Sequence, residues 1–285
     1  MLRSMYSGIG GMKNFQVKLD VIGNNIANVN TYGYKKGRTT FKDLVSQQIA
    51  GASAPSDTKG GVNPKQVGLG SQLGSIDTIH TQGSLQTTGR PLDLGISGDG
   101  FFIVNDGINN FFTRAGNFYM DENGTLVNSD GLLVQGNQGN DPADDVLADT
   151  LGEIVIPKTA QSFSIGSDGK VTFIENGELL VAGQILIAKF PNTGGLDKVG
   201  DNLYQETSNS GSSDGDDSGT IDINDFNIPG TGGAGSLVSG ALEMSNVDLS
   251  EEFTDMIVAQ RGFQANTRII TTSDEILQEL VNLKR

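Results

Sequence analysis

The residues best placed to do chemistry in this chain are oxygen donors. Asp214, Asp216, Ser218, Asp222 and Asp225 fall at positions 1, 3, 5, 9 and 12 of one run, with Gly219 at position 6 and Ile221 at position 8. Alternating oxygens around a glycine turn, closed by a carboxylate, are what a hard cation such as calcium asks of a loop. Two features weigh the other way. Position 12 is Asp rather than a bidentate Glu, and the flanks Asn209–Ser213 and Asn227–Gly233 carry no helical pattern. The run reads either as a calcium loop or as an acidic solvated loop in an acidic protein.

No catalytic constellation accompanies it. His80 is the only histidine and stands in a Thr/Gln-rich segment with no carboxylate paired to it, which points to a surface or strand role. The chain has no cysteine, so thiolate nucleophiles, disulfides and thiolate metal sites are all excluded. Gly68-Leu69-Gly70 follows no apolar strand, and the third glycine of a nucleotide loop is misplaced. The expectation is a protein that is not an enzyme, with no cofactor beyond calcium at the acidic loop.

Composition narrows the partners. The 285 residues carry a formal charge of −15, which argues against nucleic acid, because nothing here could neutralise a run of phosphates. The first 42 residues run against this trend, with seven Lys or Arg and one Asp. Hydrophobic residues make up 36% and glycines number 40, a balance that suits short strands and tight turns better than one thick core. No run of 18 apolar residues exists, so no membrane insertion is expected. The N-terminus lacks the pattern of a secretory signal peptide, so export is expected to leave it uncleaved.

The two ends share one pattern. Met5, Met12, Leu19 and Ile26 recur at intervals of seven, with Leu2, Ile9, Phe15, Ile22 and Val29 three or four residues away. Leu249, Met256, Phe263, Ile270 and Leu277 repeat it at the other end. Such spacing lays an apolar seam along a helix. The first helix, over residues 1–30, is weak, since Gly8, Gly10, Gly11 and Gly23 each cost about 1 kcal/mol against Ala. It needs a partner, and packing between copies is the favoured source of that burial. Thr31-Tyr32-Gly33-Tyr34 ends it, with Gly33 in the left-handed position. The second helix begins at the Asp248–Ser250 boundary and runs to the last residue.

Between the ends, residues 35–50 become amphipathic around Phe41, Leu44, Val45 and Ile49, and 51–75 read as an extended or irregular crossing. Short strands are predicted at 92–96, 101–104, 110–114, 126–127, 132–134, 154–156, 162–165, 171–174 and 184–190. Asp-Gly or Asn-Gly pairs punctuate them at 99–100, 106–107, 123–124, 130–131, 168–169 and 176–177. Residues 137–150 read as a surface loop, and 207–235 as loop or partly disordered chain. The expected fold is mainly β with α-helical termini: N- and C-terminal helices paired in a coiled-coil-like inner domain, and an antiparallel β domain between them. The expected divisions are 1–31 with 246–285, a connecting segment 32–75 with 236–245, and an outer β domain 76–235.

Leu19-Asp20-Val21-Ile22-Gly23-Asn24-Asn25-Ile26-Ala27-Asn28-Val29-Asn30-Thr31-Tyr32-Gly33-Tyr34-Lys35 closely resembles the N-terminal signature of the bacterial flagellar rod and hook proteins. Asn24, Asn25, Ala27, Asn28 and Gly33 carry that signature. Phe112–Phe118 with Asp121–Val127, Met244–Leu249, and Met256–Arg261 with Phe263–Asn266 resemble the same family. The resemblance implies a structural subunit whose terminal helices line a central channel and whose β domains face outward. It implies a flexible, self-assembling tube that transmits motor torque, reached through type III export, as part of the extracellular flagellum. Its implied partners are copies of itself, a hook cap protein, the distal rod and hook-filament junction proteins, and the export apparatus. The ending at 276–283 looks most like a hook subunit, while 46–70 resembles a segment typical of the distal rod subunit. The reading is therefore hook first and distal rod second. A secreted, calcium-stabilised adhesive β protein is the alternative from another class, and it leaves the heptads unexplained.

Overall fold

The computed structural model describes residues 2–55, 59–141, 144–211 and 223–283. The chain is mostly β between two terminal helices, α1 (Leu2–Ala27) and α2 (Leu249–Asn282). Two compact units share it. The first comprises Met1–Ala27, Gly37–Thr78 and Asp248–Arg285, and the second Asn28–Lys36 and Ile79–Val247. The connecting segment expected over 32–75 and 236–245 is thus divided differently, with 37–75 in the first unit and 32–36 and 236–245 in the second.

In the first unit α1 packs on α2, and its glycines let the axes close in. A Cβ on Gly262 would stand 2.5 Å from the Phe15 ring, and one on Gly8 would touch Ile270 at 3.4 Å. Burial against α2 supplies what helix propensity withholds. Lys18 and Asp255 bridge the pair at 3.1 Å on its rim. α2 begins where Asp248 accepts hydrogen bonds from the backbone N–H groups of Ser250 (2.8 Å) and Glu251 (3.4 Å). It ends at Asn282, short of the last residue. Residues 35–78 hold more order than expected. Gly37–Asp43 pairs antiparallel with Ser71–Thr78, and Gln47–Ala50 pairs with Lys65–Val67. The partners lie between 15 and 41 residues apart in sequence, so local pattern shows each strand only as an ambiguous amphipathic stretch.

The second unit is an antiparallel sheet with strand order 162–165, 170–175, 178–185, 133–141, 101–105, 110–113, 203–205, 197–200. Phe101–Asn105 runs through its middle and is buried on both faces. Because successive side chains point to opposite faces, Phe102 and Val104 join one core cluster, with Phe118, Leu126, Ile154 and Phe173. Phe101 and Ile103 join the other, with Phe112, Phe190 and Tyr204. All six Asp-Gly and Asn-Gly glycines adopt positive φ, as hairpin turns require.

Several expectations are corrected here. Residues 137–150 belong to a hairpin, Leu133–Asp141 with Asp144–Glu153, rather than a loop. Gly, Asn and Asp mask the strand in sequence, but Gly136 pairs with Ile185 and Asn137 with Gln184. Residues 154–156 contribute a single bridge, between Val155 and Thr125, instead of a strand. The strand expected at 184–190 divides into Glu178–Ile185 and Ile187–Ala188. Ser236–Ser239 and Ala241–Glu243, which the sequence pattern missed, pair with Leu94–Ser97 and Leu85–Thr87.

Candidate functional site

The predicted seam residues occupy the helices of the first unit in graded burial. Ile22 is buried, while Met5, Met12, Leu19 and Ile26 are half-buried. Ile9 and Leu249 are exposed, and Val29 lies past the end of α1. Met256, Phe263, Ile270 and Leu277 are half-buried, with Ala259 and Ser273 buried beside them. By their seven-residue spacing they share the face on which Ile270 meets Gly8 of the same chain. Six other apolar residues of α2, Phe253, Ile257, Val258, Ile276, Leu280 and Val281, are 48% to 65% exposed and are spread around the helix.

The signature residues close the end of α1. Asn25 is buried and binds Gly37 twice, donating from Nδ2 to its carbonyl and accepting at Oδ1 from its N–H, both at 2.9 Å. Its Nδ2 also reaches buried Glu252 at 3.2 Å. Asn28 accepts a hydrogen bond from Thr31 Oγ1 at 3.1 Å. Asn24 and Ala27 are exposed. Gly33 takes φ +69°, and a Cβ there would lie 2.5 Å from the backbone nitrogen of Ala115. No other residue type meets both conditions.

Two residues further on stands a group that sequence reasoning missed. Lys35 is fully buried and donates to Glu243 Oε1 at 2.5 Å and to the Thr81 carbonyl at 2.8 Å. Arg114, 3% exposed, donates to Glu243 Oε2 at 3.1 Å and to the Gly98 carbonyl at 2.9 Å. The Gly83 N–H adds a third donor to Glu243, at 2.9 Å. Next to it Asn246 accepts from the Lys36 N–H and donates to the Ile79 carbonyl, both at 2.8 Å. Lys35 and Arg114 lay inside the segments that resembled the family, but as charges in motifs rather than as partners. The one local signal is that each follows an apolar or aromatic run with no nearby counter-charge.

The surroundings of this triad are cationic. Burial pushes the Lys35 ammonium below its ordinary value, against the pull of Glu243. His80 packs between Phe101 and Tyr204, with centroids 5.7 and 5.5 Å away. Desolvation, then the charges of Lys35, Lys198 and Arg114, lower its pKa to about 4, so the ring is neutral at ordinary pH. Burial also raises the Tyr204 hydroxyl and lowers Lys198, whose ammonium lies 5.2 Å from the Tyr34 ring centroid.

Of the calcium candidates, Asp214, Asp216, Ser218 and Asp222 lie outside the described residues. Asp225 ends a short 3-10 turn, Ile223–Asp225. Among the described residues no group of three or more His, Cys, Asp or Glu could hold a metal ion, and no helix is long and apolar enough to cross a membrane.

Comparison with known proteins now gives this architecture its relatives. Three family models match: "Flagella basal body rod protein" over residues 5–35, "Flagellar hook protein FlgE/F/G D1 domain" over 95–173, and "Flagellar basal body rod FlgEFG protein C-terminal" over 238–283. The flagellar basal-body rod protein FlgG of Bacillus subtilis is 60% identical over the full length of both chains. The flagellar hook protein FlgE of Borreliella burgdorferi is 33% identical over the full length of both, and FlgG of Caulobacter vibrioides is 36% identical over 99% of this chain. The chain belongs to the flagellar rod and hook protein family, a family of structural components of the flagellum. The order expected from the sequence, hook before rod, is reversed by these identities.

Proposed function

We propose that this protein is a distal rod subunit of the flagellar basal body. It is built to polymerise with copies of itself into a tube. The full-length identity to a rod protein, nearly twice that to the hook relative, carries the reading. The exposed apolar groups of α2 support the polymer. Six large apolar side chains left in water between Phe253 and Val281 are a liability in a monomer and offer contacts in a lattice. The hairpin over 47–67 supports a rod over a hook. Val45, Ile49, Val62 and Val67 are exposed along it and suit added lateral contacts that stiffen the wall. Adjoining rod and hook proteins and the type III export apparatus are the partners this reading entails.

The test is to delete the gene, isolate basal bodies and image them, then restore an epitope-tagged copy and locate the tag with gold. A rod reading expects basal bodies without a complete rod or hook, and gold on the distal rod. Complete rods lacking only the hook, with gold on restored hooks, would return the protein to the hook class.

A further inference from the structure

A cavity of about 300 Å³ opens in the second unit, lined by His80, Asp99, Phe101, Arg114, Lys189 and Thr193 among others. That is the lower end of the range for small-ligand sites. Two of its walls hold unsatisfied nitrogens. Arg114 Nε and His80 Nδ1 are both buried with no hydrogen-bond partner. Buried polar groups are nearly always paired, and these two are left without a protein partner beside the cavity.

Charge around the cavity points the same way. Lys35 and Arg114 share the single carboxylate of Glu243. Lys189 and Asp99 then add one charge of each sign to the lining. Lys198 also acts on His80, so cations outnumber carboxylates around the cavity inside a chain of net charge −15. Lys189 is exposed, and its Nζ has only a long contact, 3.5 Å, to the Gly232 carbonyl. A guanidinium with its Nε–H unpartnered and an exposed ammonium are suited to a carboxylate.

We infer that this cavity is a binding site for one carboxylate group, received by Arg114 and Lys189 beside His80. The group has two sources with the same chemistry: a small organic acid free in solution, or an aspartate or glutamate side chain of a second copy. Only the second source rests on the rod reading.

His80 is the sole histidine, so the full-length chain labelled at histidine gives one imidazole signal in NMR. The first arm titrates acetate into dilute protein, with chloride exchanged to hold ionic strength constant. The second arm raises protein concentration within the soluble range without acetate. A saturable His80 shift with acetate, weakened about tenfold by Lys189→Ala and strengthened by Asp99→Asn, supports the site and the free acid. A shift with protein concentration that acetate reverses supports the side chain of a second copy. Lys189 is exposed, so Lys189→Ala leaves the fold intact where a change at Arg114 need not. No shift in either arm, or equal shifts in the parent and Lys189→Ala, overturns the proposal. The acetate arm needs no polymer, so its failure is separate from failure of the rod reading.

Discussion

Lys35 and Glu243 are 208 residues apart in sequence and 2.5 Å apart in space, and neither side chain reaches solvent. The pair fastens the family's N-terminal signature to the strand that leads into α2. Together with Asn246, which binds Lys36 and Ile79, it gathers three stretches of chain at the edge of the second unit. Breaking a buried ion triad of this kind costs far more than the triad adds in net stability, because the groups left behind stay buried and charged.

Glu243→Gln should therefore be severe. The change keeps shape and volume but leaves Lys35 and Arg114 buried without a counter-charge, at a cost of about 3–5 kcal/mol. Urea unfolding followed by circular dichroism checks this. The exposed pair Arg38–Asp77, 3.3 Å apart, serves as control. Arg38→Ala should lower stability by less than about 1 kcal/mol.

Two helical glycines should respond in opposite directions. Nothing stands within 4 Å of a Cβ added at Gly23, so Gly23→Ala should stabilise α1 by about 0.5–1 kcal/mol. Gly262→Ala meets the Phe15 ring and should destabilise the helix pair by about 1–3 kcal/mol. Thermal melts of the two variants, monitored at 222 nm, decide it.

Stability should depend on pH through His80. The folded ring titrates at about 4 and the unfolded one at 6.5. Between these values the unfolded chain binds a proton that the fold refuses, so stability rises with pH across that window. The contribution is complete above pH 6.5 and is lost as pH falls toward 4. It amounts to about 2 kcal/mol once solvent reaching the half-buried ring is allowed for. His80→Phe fits between Phe101 and Tyr204 without a titrating group. The difference between parent and variant stability from pH 7 to 4 isolates the effect from the many carboxylates, and a constant difference would rule it out.

What sequence could show divides along physical lines. The heptads, the Asp248 cap region, the hairpin glycines and the run Phe101–Val104 were legible because each encodes a local period or a local φ. The strands at 37–43 and 71–78, and the hairpin over 137–150, were not. Their residues have weak β preference, and pairing with distant partners decides their state. Lys35, Arg114 and Glu243 escaped notice for the same reason, since an ion pair across 208 residues leaves no periodicity behind. Glu252 is the sharpest case. Its place in the first turn of α2 suits the helix dipole, yet it is 6% exposed and hydrogen-bonded to Asn25, 227 residues away.

The half-buried and the exposed apolar residues of α2 should separate folding from assembly. Ile270 is half-buried and lies against Gly8, so Ile270→Asp places a carboxylate between the helices with no cation in register. That should loosen the first unit by about 2–3 kcal/mol and block polymer growth as a consequence. Ile257 is 59% exposed and lies off the seam. Ile257→Glu should change subunit stability by less than about 0.5 kcal/mol, yet stop tubes from forming, because every lattice contact repeats the buried charge. Thr271→Glu, exposed and off the seam, is expected to be mild in both assays. Melting curves of the soluble subunit and electron microscopy under polymerising conditions measure the two effects separately. If Ile257→Glu subunits built tubes as readily as the parent, the exposed apolar groups of α2 around Ile257 would not be the contact between copies.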